Sequence, residues 1–185
     1  MSLVKVQGNA SGTGIFTIAS PNSNTDRTLT LPDNTGTILT TATAGVPVNG
    51  PAFSAYKSSS QSLNSATLTK VTFDQEDFDT ASCFASSRFT PNVAGYYQFN
   101  AGVRSDAATV SALHTILTAS TVGEFAAGTF TNTPLAGFMS SCSGLIYLNG
   151  TTDYVEVYAY SGNGVTASAG RSATYFQAFL ARSAT

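Results

Sequence analysis

Apolar and polar residues alternate with a period of two along much of this chain, and a helical period of 3.6 is hardly seen. The run Tyr96-Tyr97-Gln98-Phe99-Asn100-Ala101-Gly102-Val103 is the clearest case. Tyr97, Phe99, Ala101 and Val103 share one face of an extended strand; Tyr96, Gln98 and Asn100 share the other. One face is therefore core, and the other is solvent or a polar subunit contact. Thr, Val, Phe and Tyr are frequent and suit a pleated surface. Gly, Asn, Asp and Pro punctuate the apolar runs at intervals typical of a sandwich or barrel. From Ala52 onward the pattern predicts about eight to ten strands. They include Ala52–Tyr56, Leu68–Phe73, Tyr96–Val103, Ser111–Thr118, Met139–Leu148, Asp153–Tyr160 and Thr174–Ala181. The turn Asn149-Gly150-Thr151-Thr152 carries the strongest short hairpin signal, and predicts that Leu145–Leu148 folds back on Tyr154–Tyr158.

Residues 1–45 read differently. They hold a single aromatic, Phe16, and four short strand-like runs: Leu3–Val6, Gly14–Ile18, Thr28–Leu31 and Gly36–Thr40. Turn chemistry at Ser20–Asn24 and Pro32–Gly36 separates them. Ordering a backbone costs about 1–2 kcal/mol per residue. So few large side chains cannot offset that, and these strands must pack on copies of themselves or on another protein. Residues 46–51, with Pro47 and Pro51, form a linker, and residues 52–185 form the aromatic-rich domain.

Composition narrows the function classes. Of 185 residues, 23 are Ser and 27 are Thr, whereas charged residues make up only 10% and the net charge is −2. A polar chain with so little charge has weak long-range fields, which argues against nucleic acid and anionic membranes as partners. No apolar run of about 18 residues is present, so no transmembrane helix is expected. The N-terminal Met1-Ser2-Leu3-Val4-Lys5 lacks an apolar signal region, so an extracellular role would require an exit other than secretion. Cys83 and Cys142 are too sparse for a disulfide framework and read as buried free thiols, with a bridge left open. The only histidine, His114, sits in a strand-like run and reads as a packed core or interface residue. No metalloprotease, nucleophile-elbow, CxxC or phosphate-loop pattern occurs. No catalytic, cofactor-binding or metal residue is therefore assigned. The cluster Asp74, Glu76, Asp77 and Asp79 raises calcium as a question, but lacks an Asp-x-Asp-x-Asp-Gly loop and reads as a solvated turn.

Two resemblances extend this picture. The stretch Asn24-Thr25-Asp26-Arg27-Thr28-Leu29-Thr30-Leu31-Pro32-Asp33-Asn34-Thr35-Gly36-Thr37-Ile38-Leu39 resembles a motif common in tail fibres and other appendages of bacteriophages. Residues 52–182 resemble, in order, the globular head of complement component one-q and its tumour necrosis factor relatives. The likeness is carried by Ala52–Ala55, by Val71–Thr80, by Phe89-Thr90-Pro91-Asn92-Val93-Ala94-Gly95-Tyr96-Tyr97-Gln98-Phe99, by Ser143–Val157 and by Thr174–Leu180. The proline usual before that glycine is Ala94 here.

These resemblances imply an all-β protein: a short β-stranded stalk followed by an antiparallel jelly-roll sandwich, assembled as a homotrimer. They imply a structural protein on the surface of a phage particle, assembled in the host cytoplasm and attached to other virion proteins through its first 45 residues. The distal knob would contact a host glycan or protein through its Ser-, Thr-, Gly- and Asn-rich loops Ser58–Ser65, Ala119–Leu135 and Ser161–Arg171. The alternative is a head-decoration or adaptor protein with a purely structural role. An enzyme reading is disfavoured, because three Glu and seven Asp, four of the ten in one cluster, leave few carboxylates for glycoside cleavage.

Overall fold

The alternation at Tyr96–Val103 is built as a strand spanning Gly95–Ser105, in which Tyr97, Phe99, Ala101 and Val103 are fully buried and Tyr96 is exposed. The computed structural model describes residues 11–15, 17, 19, 22–26, 28, 50–133 and 137–184. The chain divides into two units, 1–38 and 39–185. In the first, the N–H of Thr25 donates to Ser23 Oγ at 3.1 Å. The expected strands of residues 1–45, and the phage-like stretch Asn24–Leu39, lie outside the described residues except at 14, 15, 17, 24–26 and 28. The expected linker is described only at Gly50 and Pro51. The Pro51 carbonyl accepts the Leu180 N–H at 3.0 Å, which ties this point of the chain to the second unit.

Thirteen strands are seen among the described residues. They are β1 (Ala52–Tyr56), β2 (Gln61–Leu63), β3 (Thr67–Lys70), β4 (Gln75–Asp79), β5 (Phe84–Ala85), β6 (Arg88–Phe89) and β7 (Gly95–Ser105). They continue with β8 (Val110–Ala119), β9 (Gly123–Thr133), β10 (Phe138–Leu148), β11 (Val155–Ser161), β12 (Val165–Ala167) and β13 (Tyr175–Ser183). No helix occurs among the described residues, and all strand pairings between these elements are antiparallel. One sheet runs β4-β1-β13-β7-β10, with β12 and β2 continuing from the far end of β7. The other runs β5-β6-β11-β8-β9. Two sheets with non-sequential neighbours, packed face to face, make the jelly-roll sandwich that the resemblance implied, one of the two forms, sandwich or barrel, that the strand pattern allowed.

Aromatic rings join the layers. Phe53 of β1 stacks on Phe84 and Phe89 of the opposite sheet, at 4.7 and 4.8 Å between centroids, and meets Phe176 of β13 edge-on at 4.9 Å. Phe89 in turn meets Tyr97 and Phe99 of β7 edge-on. Tyr97 keeps its hydroxyl satisfied by donating to the Val93 carbonyl at 2.7 Å. Along one side a buried polar stitch closes the sandwich. The Thr115 N–H donates to Ser140 Oγ, Thr115 Oγ1 donates to the Ser140 carbonyl, and Ser140 Oγ donates to the Gly128 carbonyl. Gly128 is needed there, because a Cβ would fall on the Ser141 carbonyl of the neighbouring strand.

The hairpin expected at Asn149-Gly150 is not formed. Leu148 ends β10 opposite Gly95 of β7, whereas β11 pairs with β6 and β8 in the other sheet. The turn therefore crosses between layers. Asn149 Oδ1 accepts the N–H groups of Thr151, Thr152 and Asp153, and the Asp153 carboxylate accepts the Asn149 N–H. Gly150 has φ +73° and presses against the Val93–Ala94 backbone. The dipeptide thus reports a left-handed turn and says nothing of which strand each arm will pair with.

Candidate functional site

Two of the three loops expected to make contacts come together. β2, within Ser58–Ser65, pairs with β12, within Ser161–Arg171. Ser65 Oγ donates to the Gly162 carbonyl at 3.0 Å, and the Gly170 N–H donates to the Lys57 carbonyl at 2.7 Å. The Asn163 amide donates to the Thr109 carbonyl and accepts the Ser111 N–H. Beside them lies an open groove of about 660 Å³, lined by Ser60, Asp106, Gly164, Thr166 and Ser168 among others. It is at the end of the sandwich where β7 finishes, opposite the end where Pro51 leads into β1.

The third segment, Ala119–Leu135, is not a loop. Gly123–Thr133 is strand β9, paired along its length with β8, and Leu135 lies outside the described residues. Its Ser120–Val122 turn follows Ala119, whose partner is Val155, and so sits at the opposite end from the groove. A run rich in Thr, Ala and Gly reads as a connector in sequence, but one face of it packs against β10, where Gly128 admits the Ser141 carbonyl and Phe130 meets Phe138 at 4.7 Å.

Three of the four acidic residues, Glu76, Asp77 and Asp79, lie in strand rather than turn, on the edge strand β4 beside β1, and Asp74 immediately precedes it. The cluster's carboxylates serve the fold. Asp74 accepts the Ser58 N–H at 2.6 Å and the hydroxyls of Ser58 and Ser59. Asp77 pairs with Arg171 and accepts from Ser54 Oγ. Asp79 accepts the N–H groups of Ala81 and Phe84. No three His, Cys, Asp or Glu side chains converge as metal ligands among the described residues. The Ser58 N–H and the Ser59 hydroxyl hold the Asp74 pKa down, from 3.8 to about 2. Its folded-state value is depressed, so its contribution is present above the unfolded value and lost as pH falls through about 2. Asp74→Asn is therefore expected to flatten the loss of stability between pH 5 and pH 2, measured by urea unfolding. Equal slopes for variant and wild type would refute this role. Lys57, nearly fully buried, donates from Nζ to the Thr72 carbonyl at 2.7 Å; burial pushes its pKa down and Asp74 opposes the shift.

The outward face of the larger sheet carries rows of uncharged side chains. Strand register places Leu145, Gln98 and Phe179 in one row, with Ser143, Asn100, Gln177, Ser54 and Phe78 in the next. Tyr96 and Tyr147 lie opposite one another and make an edge-on ring contact at 5.5 Å. Leu145 is 57% exposed, Phe78 50% and Phe179 48%. Between Phe78 and Phe179 runs a groove of about 280 Å³, floored by Ser54, Asn100 and Gln177. Arg104, Asp77 and Arg182, the last opposite Tyr96, stand at the margins of the face.

On the other sheet, Glu156 of β11 is buried and holds both Lys70 Nζ at 2.6 Å and Arg88 Nε at 2.7 Å. Burial pushes the Glu156 pKa up, but the hydrogen bonds from Lys70, Arg88 and Tyr158 outweigh it and leave the carboxyl below its ordinary value. Sequence reasoning missed this cluster, because its members lie 68 and 86 residues apart and no local pattern links them. His114 of β8 packs edge-on against Tyr160 across the β8–β11 pair, at 5.4 Å. Cys83 and Cys142 are both free thiols; burial pushes Cys83 up and Cys142 to about 11, so both are poor thiolates.

No family model matches the chain, and no curated protein matches it in sequence. Solved structures do. The globular domain of zebrafish complement 1qA protein is similar with a TM-score of 0.56 at 18% identity, over 72% of this chain and 99% of that one. Murine APRIL at pH 5.0 is similar with a TM-score of 0.58 at 11% identity, over 71% of this chain and 98% of that one. At pH 8.0 the same murine protein gives 0.57 at 12% identity, over 70% and 98%. At such identities the likeness establishes a fold, the jelly roll of complement one-q and tumour necrosis factor type.

Proposed function

We propose that this chain is a structural protein of a phage virion, a trimeric fibre or spike whose jelly-roll knob contacts the host surface. It acts by binding and assembly rather than by catalysis, on the surface of a particle assembled in the host cytoplasm. The carrying observation is the outer face of the larger sheet, whose centre carries no charged side chain. Leu145, Phe179, Phe78, Tyr96 and Tyr147 form an apolar patch with no ion pair at its centre. Contiguous apolar surface of this kind marks a protein contact. Threefold assembly is the common solution for fibres and for domains of this fold, and a face nearly free of charge lets identical chains approach without repulsion. The virion assignment is supported by the stretch Asn24–Leu39. Host contact is supported by the Ser58–Ser65 and Ser161–Arg171 loops, which meet at one end of the sandwich, opposite the end where Pro51 leads into β1.

Sedimentation equilibrium of the full chain is expected to give a mass of three chains of 19.1 kDa. A mass of one chain would refute the trimer. Fluorescently labelled protein is expected to adhere to cells of at least one strain in a bacterial panel. A trimer that adheres to none would favour the purely structural, decorating role.

A further inference from the structure

On the five-stranded sheet one carboxylate, from the middle strand β11, holds two cations that line a cleft. Glu156 Oε1 accepts from both Lys70 Nζ and Arg88 Nε, while Oε2 accepts the Tyr158 hydroxyl at 3.0 Å. The other ion pairs among the described residues are one to one, Arg104 with Asp106 and Arg171 with Asp77. Asp79, near the cleft, accepts the backbone N–H groups of Ala81 and Phe84 and makes no ion pair with Lys70 or Arg88, so the positive excess is local to those two side chains. Lys70 and Arg88 line a cleft of about 450 Å³ together with Ser82, Ala85, Ser86 and Thr90.

The cations are held in place. The Arg88 guanidinium carbon lies 3.7 Å from the centroid of the Tyr154 ring, a favourable cation–π position. A guanidinium has five N–H donors and an ammonium three. Glu156 meets Arg88 through Nε, which leaves the Nη fork, the part whose geometry matches a carboxylate. Lys70 directs two donors to Glu156 and to the Ser86 carbonyl, and has a third. Glu156, only 6% exposed at its side chain, is too buried and too well bonded to swing out and cancel the second charge. Around the cations the wall carries hydroxyls. Ser82 and Ser86 have φ of +52° each, a left-handed conformation uncommon outside glycine. Ser86 and Ser87 form the two-residue turn between β5 and β6, fixed by Ser87 Oγ on the Phe73 N–H at 2.8 Å.

The geometry points to this cleft as a binding site for a carboxylate-bearing saccharide, a uronic-acid residue of a host-surface polysaccharide. Its carboxylate sits on the Arg88 fork and Lys70, and its ring hydroxyls meet Ser82, Ser86 and Thr90. The biological sense of the site rests on the host-contact reading, but the cleft is tested without it. A trimer would carry three such clefts on the layer opposite the apolar face, and weak single sites gain from that multiplicity.

The full chain is titrated with sodium glucuronate, glucose, acetate and inorganic phosphate, and backbone amides are followed by NMR. Glucuronate is expected to give saturable shifts centred on residues 82–90, with glucose about tenfold weaker or more. Ala85 is exposed on the rim and outside the ion cluster. Ala85→Glu is expected to weaken glucuronate binding about tenfold or more with an unchanged melting temperature. Arg88→Lys, which keeps the charge beside Glu156 and loses the fork, weakens it likewise. Glucuronate shifts absent from residues 82–90, acetate or phosphate binding as tightly as glucuronate, or normal binding by Ala85→Glu would each overturn the assignment. Cell adhesion retained by Ala85→Glu after uronate binding is lost would overturn the link to host polysaccharide and leave the host reading in place. Adhesion by no form, with uronate binding intact, would sink the host reading and support the cleft.

Discussion

Phe53→Ala is expected to lower the unfolding free energy by about 3–5 kcal/mol, the range for a fully buried phenylalanine. Phe53 is 1% exposed and belongs to the short strand β1, yet its ring contacts three others. Two of these, Phe84 and Phe89, come from the opposite sheet, and Phe176 comes from its own. Removing it therefore opens a cavity where the layers meet, bounded by rings that cannot all close in at once. Against a typical domain stability of about 5–15 kcal/mol, that loss is a large fraction of the total. Phe78→Ala is the contrast. Phe78 is half exposed on the outer face, so within the isolated chain its loss is expected to cost about 0.5 kcal/mol or less. Chemical denaturation at concentrations that keep the chain dissociated measures both. Equal effects at the two positions would mean that β1 is not the hinge of the aromatic core.

How far this was legible in sequence depends on the range of the interaction. The period-two pattern of Tyr96–Val103 gave β7 its buried face, because alternation is a property of a single strand. Asn149-Gly150 gave the turn but misled about pairing, since local turn chemistry carries no information on partners. The Thr-, Ala- and Gly-rich segment after Ala119 looked like a loop. Gly128 is small because the Ser141 carbonyl of β10 passes close by, a contact with residues further along the chain. The same holds for function. Ser- and Thr-rich loops could be picked out by composition, and two of three do share one end of the sandwich. The Lys70–Glu156–Arg88 cluster could not, because the fold assembles it from β3, β6 and β11. The acidic run was visible but ambiguous; only the partners of Asp74, Asp77 and Asp79 reveal carboxylates used as local ties.

The outer face of the larger sheet carries the other large expected effect. Leu145→Glu combined with Phe179→Glu is expected to turn the trimer into single chains of 19.1 kDa, with the dissociation constant raised about 1,000-fold or more. Both side chains flank Gln98 on the outward face, Leu145 from β10 and Phe179 from β13. In the separate chain both are about half exposed, so two carboxylates there stay hydrated and the fold should hardly notice. In the assembly the same carboxylates would be desolvated together with those of the partner chains, and Arg182, opposite Tyr96 at the end of the face, is one cation against the two carboxylates each chain brings. The effect thus falls on association and spares the fold, a separation that a melting curve and a sedimentation run can distinguish. Val122→Glu is the control: Val122 is 63% exposed, but lies on the β8–β9 turn away from this face, and should leave the mass unchanged. An unchanged trimer in the double variant would place the contact elsewhere on the sandwich. A monomer would give the chain's scarcity of charge a physical reason, because a surface meant to meet copies of itself cannot carry one sign of charge at its centre without repelling them.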